Sequence, residues 1–308
     1  MIYQRDSFID VIYSELASAN NKDIIFISAD FGAIALDKLR KDYPKNFYHC
    51  GISEQAMIDI ATGLALDKKK VFVYAMAPFL SLRALEQIKC GPGIMNLPIT
   101  LLSVGIGLGY ADSGPTHYAT EDYSCLRSIV GSSIYTASDP ICASHIAKLL
   151  VSNPKFSYVR LDRDLQEDIN PLVEYNDIVR GYRVFGKIEK DKIAIITHGA
   201  LVHTCKKVFD KKNEKCFLID LICSKPFPST IVDQLKNVSK ILVVDEQSVS
   251  GGLSSCIFES FSLKNIFPQI HTLSLPEKYI FENGGRKNLL NNFGLDEFGI
   301  EKKLNQIL

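Results

Sequence analysis

The sequence has no surplus of charge: 35 basic residues stand against 35 acidic ones in 308, with no block of either sign. That leaves no electrostatic footprint for nucleic acid or for an anionic membrane, so neither is expected as a partner. No apolar run approaches the roughly 18 residues that cross a bilayer, and Met1-Ile2-Tyr3-Gln4-Arg5-Asp6 lacks the pattern of a signal peptide. Eight cysteines are present but no C-x-x-C pair, and most of them fall in apolar segments. They read as free thiols packed like small hydrophobes, with neither disulfides nor structural zinc. These absences together predict a cytoplasmic protein. Also missing are a G-x-S-x-G elbow, a Walker loop and H-E-x-x-H.

What is present is a long alternation of β-rich and helical stretches. With 308 residues, 46% of them hydrophobic, the chain can build two domains of ordinary size. Helical spacing runs from Phe8 to Ala19, Ala56 to Leu66, Leu80 to Lys89, Glu121 to Ile129 and Asp139 to Val151. Between them, 23–29, Phe47–Cys50, Lys70–Ala75, Ile99–Val104, Ser133–Thr136 and Phe156–Leu161 read as strands. Strands this uniformly apolar belong to a parallel sheet covered on both faces, so the expected fold class is α/β. A charged stretch without periodicity from Asp162 to Asp177 reads as a linker or as one charged helix face. The expected division is 1–165, a linker at 166–180, and 181–308. The second part repeats the alternation, with strands at Ile193–Thr197, Cys216–Asp220, Ile241–Asp245 and His271–Leu275. Helices are expected there at Ala200–Asp210, Ser229–Leu235 and Gly252–Phe261.

Two places carry chemical interest. Gly51-Ile52-Ser53-Glu54-Gln55 sets a carboxylate where a strand gives way to a helix, the end of an α/β sheet at which ligands gather. The bland alternative is a glutamate that only complements the helix dipole. Gly105 to Thr120 is a long glycine-rich loop after a core strand, and such loops tend to carry function. It holds Asp112-Ser113-Gly114-Pro115-Thr116-His117, whose histidine could work at the sheet edge or be incidental. Gly251-Gly252 opens a helix without phosphate-loop spacing, so a tight turn is the expectation there.

In order along the chain, Gly51 to Gln55, Ala77-Pro78-Phe79-Leu80, Asn96-Leu97-Pro98 and Gly114-Pro115-Thr116-His117 resemble the pyrimidine-binding domain of the transketolase family. The second half is similar to the family's C-terminal domain at Ile193–Gly199, Asp220–Pro226, Asp245-Glu246-Gln247-Ser248 and Gly251-Gly252-Leu253. Pro276-Glu277-Lys278-Tyr279 and Phe293-Gly294-Leu295 extend the likeness to the tail. The resemblance implies two doubly wound domains and thiamine diphosphate as cofactor. In that family the glutamate matching Glu54 bonds a ring nitrogen of the cofactor's pyrimidine. Aromatic side chains enclose the ring, Phe79 and then Tyr74 being the candidates here, with core packing as the alternative for both. His117 matches a histidine that faces substrate oxygens.

Three departures qualify the resemblance. The family's usual Asp directly before Gly-Pro-Thr-His is replaced by Ser113, with Asp112 one residue earlier. A phosphate-gripping arginine would fall near Thr136, whose side chain cannot make a bidentate contact. Sugar substrates are still implied, either unphosphorylated, unusual, or held by their phosphate elsewhere. Finally, the chain contains no Gly-Asp dipeptide, the start of the family's magnesium and diphosphate site. Magnesium ligands are therefore expected on a separate α subunit, with this chain as β in an α2β2 assembly. Alternatives are the β subunit of an oxo-acid dehydrogenase, a deoxyxylulose-phosphate synthase-like enzyme, and a non-catalytic scaffolding partner.

Overall fold

A computed structural model of the chain describes residues 1–18, 22–30, 32 and 34–308. The first half is built on a seven-stranded sheet. Its spatial order is Cys223–Lys225, Ser133–Thr136, Ser157–Leu161, Ile99–Val104, Lys70–Met76, Ile24–Ser28, Phe47–His49. The six strands from the first half run parallel, and the inner strands Ile24–Ser28 and Ile99–Val104 are buried at every position, as a sheet covered on both faces requires; Phe47–His49, at the edge, is exposed at Tyr48 and His49. One face is covered by helices Gln4–Ala17 and Pro140–Ser152, which pack through Phe8, Ile12, Ile146 and Leu150. The other is covered by helix Glu54–Leu66, whose Met57, Ile58, Ala61 and Ala65 form the stripe that meets the sheet.

The second half holds a five-stranded sheet ordered Gln269–Leu275, Lys240–Ser248, Ile193–Thr197, Cys216–Leu221, Tyr182–Phe185. Four strands are parallel and Tyr182–Phe185 is antiparallel. Both halves are doubly wound α/β units, as expected. The expected strands all form, as do the helices; the first runs Gln4–Ala17, and Ala19 lies outside the described residues. The Leu80–Lys89 pattern departs from a plain α-helix. It forms a π-helical turn at Phe79–Arg83, a short α-helix at Leu85–Ile88 and a second π-helical turn at Lys89–Gly93.

Several elements were not legible in the pattern. The stretch expected as linker contains a short strand, Leu165–Gln166, paired with Ile2–Tyr3, and helix Tyr175–Arg180. Glu174 and Asp177 form a reciprocal capping box at the start of that helix. Strand Cys223–Lys225 leaves the second half and pairs antiparallel with Ser133–Thr136, extending the first sheet. No helix is long and apolar enough to cross a membrane among the described residues.

Candidate active site

Glu54 is the first residue of helix Glu54–Leu66, and the chain enters that helix through a fixed turn. Gly51 takes φ +67°, and its carbonyl accepts from the Asp30 N–H at 3.0 Å and from the Ser53 N–H at 3.0 Å. A side chain at 51 would be strained at that φ, so glycine is what lets the strand turn into the helix. The Ser53 hydroxyl donates to the Cys50 carbonyl at 2.5 Å rather than capping the helix. The Glu54 carboxylate is thus delivered to the carboxyl end of the sheet with only 4% of the residue exposed. Its partner is Arg83, whose Nη1 lies 2.6 Å from Glu54 Oε2.

Arg83 joins Glu54 to two of the other predicted residues, Phe79 and His117. Its guanidinium carbon sits 4.2 Å from the centre of the Phe79 ring, over the ring face. Phe79 in turn meets His117 edge to face, with centroids 5.2 Å apart and planes at 72°. The His117 Nδ1 is 2.9 Å from the Thr116 hydroxyl. Glu54, Arg83, Phe79 and His117 therefore form one continuous line of contacts. Arg83 was missed in the sequence; its signal was the four-residue step from Phe79, which the π-helical turn places side by side.

Asp112 and Ser113 lie in the same loop as His117 and are exposed. Tyr74 stands apart: it is fully buried and packs on Phe26, in the core cluster of helices Gln4–Ala17 and Pro140–Ser152. Thr136 is fully buried too, and its hydroxyl accepts from Arg160 Nη1 at 3.2 Å.

The glycine-rich loop is held in shape at its base and from the second half. Gly107 and Ala119 form an isolated antiparallel bridge. Gly105 takes φ +81°, and a Cβ there would meet the Tyr110 ring at 1.9 Å; at Gly107 it would meet the Glu246 carboxyl at 2.7 Å. Glu246 Oε1 accepts from the Leu108 N–H at 2.9 Å, while Arg286 binds both oxygens of Glu246 at 2.9 and 2.6 Å. Arg286 also reaches Asp162 and Asp164. Burial pushes the Glu246 carboxyl up, against the lowering pull of Arg286. Gln247 and Ser248 add bonds to the carbonyls of Ala119 and Thr120, at 2.8 and 3.0 Å.

Beside this lies a second buried network. Arg160 is bidentate on Asp122 at 2.8 and 3.1 Å, and the Tyr158 hydroxyl donates to the same carboxylate at 2.8 Å. His198 Nε2 is 3.0 Å from Asp245 Oδ1 and 3.3 Å from Arg160 Nη1. Burial would raise the Asp245 pKa, but the imidazole and the Leu253 N–H outweigh it and hold the carboxyl below its usual range. Gly252 completes this corner as a tight turn, with a would-be Cβ 2.6 Å from the Ser248 carbonyl.

Comparison with known proteins assigns the class. Residues 7–167 match the pyrimidine-binding domain of transketolase, and residues 186–300 match the transketolase C-terminal domain. The chain belongs to the transketolase family. It is similar to one of the subunits of the apulose-4-phosphate transketolase of Phocaeicola vulgatus, 29% identical over 307 residues, covering 98% of this chain and 96% of that one. It is also similar to transketolase-like protein 1 of Bos taurus, 27% identical over 301 residues, but spans only 50% of that relative's length. A solved split-gene transketolase, described as an inactive β4 tetramer, superposes with a TM-score of 0.83 at 21% identity. That match covers 99% of this chain and 98% of the other, and supports the fold.

Proposed function

We propose that this chain is the β subunit of a split transketolase-like enzyme that works in the cytoplasm on sugar substrates. The assembled enzyme would move a two-carbon ketol unit from a ketose to an aldehyde. The observation that carries this reading is the unbroken contact line from Glu54 through Arg83 and Phe79 to His117. A buried carboxylate, a flat apolar ring and an imidazole suit a planar aminopyrimidine with a sugar beside it, so these residues fit thiamine diphosphate. When bound, that cofactor supplies a carbon nucleophile and an electron sink for cleaving the bond next to the ketose carbonyl.

The chain's own residues have separate tasks in this reading. Glu54 would give or share a proton with a pyrimidine ring nitrogen, in a position where water competes poorly. Phe79 provides a face for the ring. His117 donates to the substrate oxygen on which negative charge grows, and Ser113 and Asp112 meet the sugar hydroxyls. Thr136 is enclosed by Arg160, so a phosphate such as that in the bacterial relative's name would have to be gripped elsewhere.

A separate α subunit would supply magnesium and the diphosphate contacts, in an α2β2 assembly. Among the described residues no group of three or more His, Cys, Asp or Glu side chains could hold a metal. Support for a partner at this end of the sheet comes from Ile52, Ile60 and Leu82, which are 76%, 44% and 43% exposed beside the site in sequence. The domains in this reading are 1–165 and 181–308. The test is thiamine diphosphate titration with magnesium, on the chain alone and with its partner, for the natural chain and Glu54→Gln. Binding should need both chains, and Glu54→Gln should cut turnover by several orders of magnitude with assembly intact. Unaltered turnover would rule out the role given to Glu54.

A further inference from the structure

The pairing of Arg83 has a feature that the role of Glu54 does not explain. A guanidinium is flat, carries N–H donors in its plane, and stacks on aromatic faces. Arg83 uses both properties at once: it bonds Glu54 Oε2 at 2.6 Å through Nη1 and lies over the Phe79 ring at 4.2 Å. An aminopyrimidine held here would also be a flat nitrogen heterocycle, bonded to the Glu54 carboxylate and stacked on Phe79. The two contacts that would define the ring's place are thus already made by one side chain of this chain.

We propose that Arg83 is a stand-in for the cofactor's pyrimidine: it occupies the Glu54–Phe79 site in the unliganded protein and is displaced when the cofactor binds. This rests on the reading of Glu54 and Phe79 given above. Three observations support displacement. The Glu54 side chain is 5% exposed, so its charge needs a partner whenever the pyrimidine is absent. The Arg83 side chain is 39% exposed, so its guanidinium has solvent to move into. Both Phe79 and Arg83 belong to the single π-helical turn Phe79–Arg83, where the five-residue hydrogen-bond span sets residues four apart side by side. Arg83 is then a specificity element. Only a ligand that offers both an in-plane donor and a stacking face replaces what it gives up.

The energetic consequence is a competition. Apparent cofactor affinity is the intrinsic affinity multiplied by the fraction of molecules in which the arginine has left the site. Removing the arginine should therefore tighten cofactor binding while weakening the empty chain. A residue that merely supports Glu54 in the loaded enzyme predicts the opposite sign for binding.

The experiment is calorimetric titration of thiamine diphosphate, with magnesium, into the chain assembled with its diphosphate-binding partner. Natural chain, Arg83→Gln and Arg83→Lys are compared, together with thermal melting of each unliganded chain. Arg83→Gln should bind about tenfold more tightly, a gain of about 1.4 kcal/mol, and should melt at a lower temperature when empty. Arg83→Lys keeps the charge but not the plane, and should tighten binding by a smaller factor; it also decides the matter if Arg83→Gln does not fold. Weaker or unchanged binding of the cofactor by both variants overturns the stand-in role while leaving Glu54 as cofactor ligand. Failure of the natural assembly to bind at all overturns that reading and the proposal together.

Discussion

Glu246, in the second half of the chain, holds the backbone of Leu108 in the first: its Oε1 accepts from the Leu108 N–H at 2.9 Å. The bond reaches into the loop that carries His117, so the imidazole's position is set partly by the other domain. Arg286 keeps the acceptor in place by binding both of its oxygens.

Glu246→Ala should therefore act at a distance. It strips a carboxylate from a buried ion pair and frees the loop, costing about 3 kcal/mol of stability. Amide hydrogen exchange should rise across residues 105–120, whereas Glu246→Gln, which can still accept from Leu108, should raise it less. Equal exchange in both variants would mean that charge alone fixes the loop.

Substitutions at the two aromatic partners of the site should separate. Phe79→Ala should weaken thiamine diphosphate binding in the assembled enzyme about tenfold, through loss of a stacking face. His117→Ala should lower kcat by about 10²–10³ with cofactor affinity nearly unchanged, as for removal of one donor to a developing oxyanion. Titration and steady-state kinetics on both variants would show whether binding and turnover divide in this way.

How much of this was readable beforehand follows from particular residues. Uniformly apolar strands such as Ile24–Ser28, and the stripe of helix Glu54–Leu66, announce themselves, because burial on one or both faces writes a period into the sequence. Glu54 and His117 stand out as candidates through their short motifs, and the structure shows where their side chains lie. Arg83 was hidden because a charged residue in a helical pattern reads as a solvated face, and nothing local records a π-helical turn. Strand Cys223–Lys225 was hidden because it is three residues long and its partner is some 90 positions away. The partners of Glu246, Arg160 and Asp122 were invisible for the same reason, since tertiary structure alone brings them in, although Glu246 itself stands in the Asp245-Glu246-Gln247-Ser248 motif.

Asp122→Asn should be among the most destabilising single changes in the chain. It leaves Arg160, which is 1% exposed, without its bidentate partner and disturbs the Tyr158 hydroxyl as well. A loss of about 3–5 kcal/mol is expected from urea denaturation. A loss below about 1 kcal/mol would show that Thr136 and His198 are enough to satisfy the guanidinium.

Stability should also depend on pH near neutrality through histidine. Burial lowers the pKa of His203 and of His145 from the ordinary 6.5. The folded state therefore favours neutral imidazoles, and their contribution is complete above 6.5. It should be lost as pH falls through the lowered values. Melting temperatures between pH 7.5 and 5 should show this decline, and His203→Gln should flatten it; an unchanged slope would assign the dependence to other groups.

The strand Cys223–Lys225 also bears on how the protein could be divided. It closes an edge of the first sheet that would otherwise present the unpaired backbone of Ser133–Thr136 to solvent. Lys225 goes further, donating through Nζ to the carbonyls of Arg127 and Ile129 at the end of helix Asp122–Ser128. A fragment ending before the second half would lose both, and its bare edge would be a template for pairing with other copies of itself. The trailing domain thus acts as a built-in guard against self-association of the leading one, a service independent of any chemistry at Glu54.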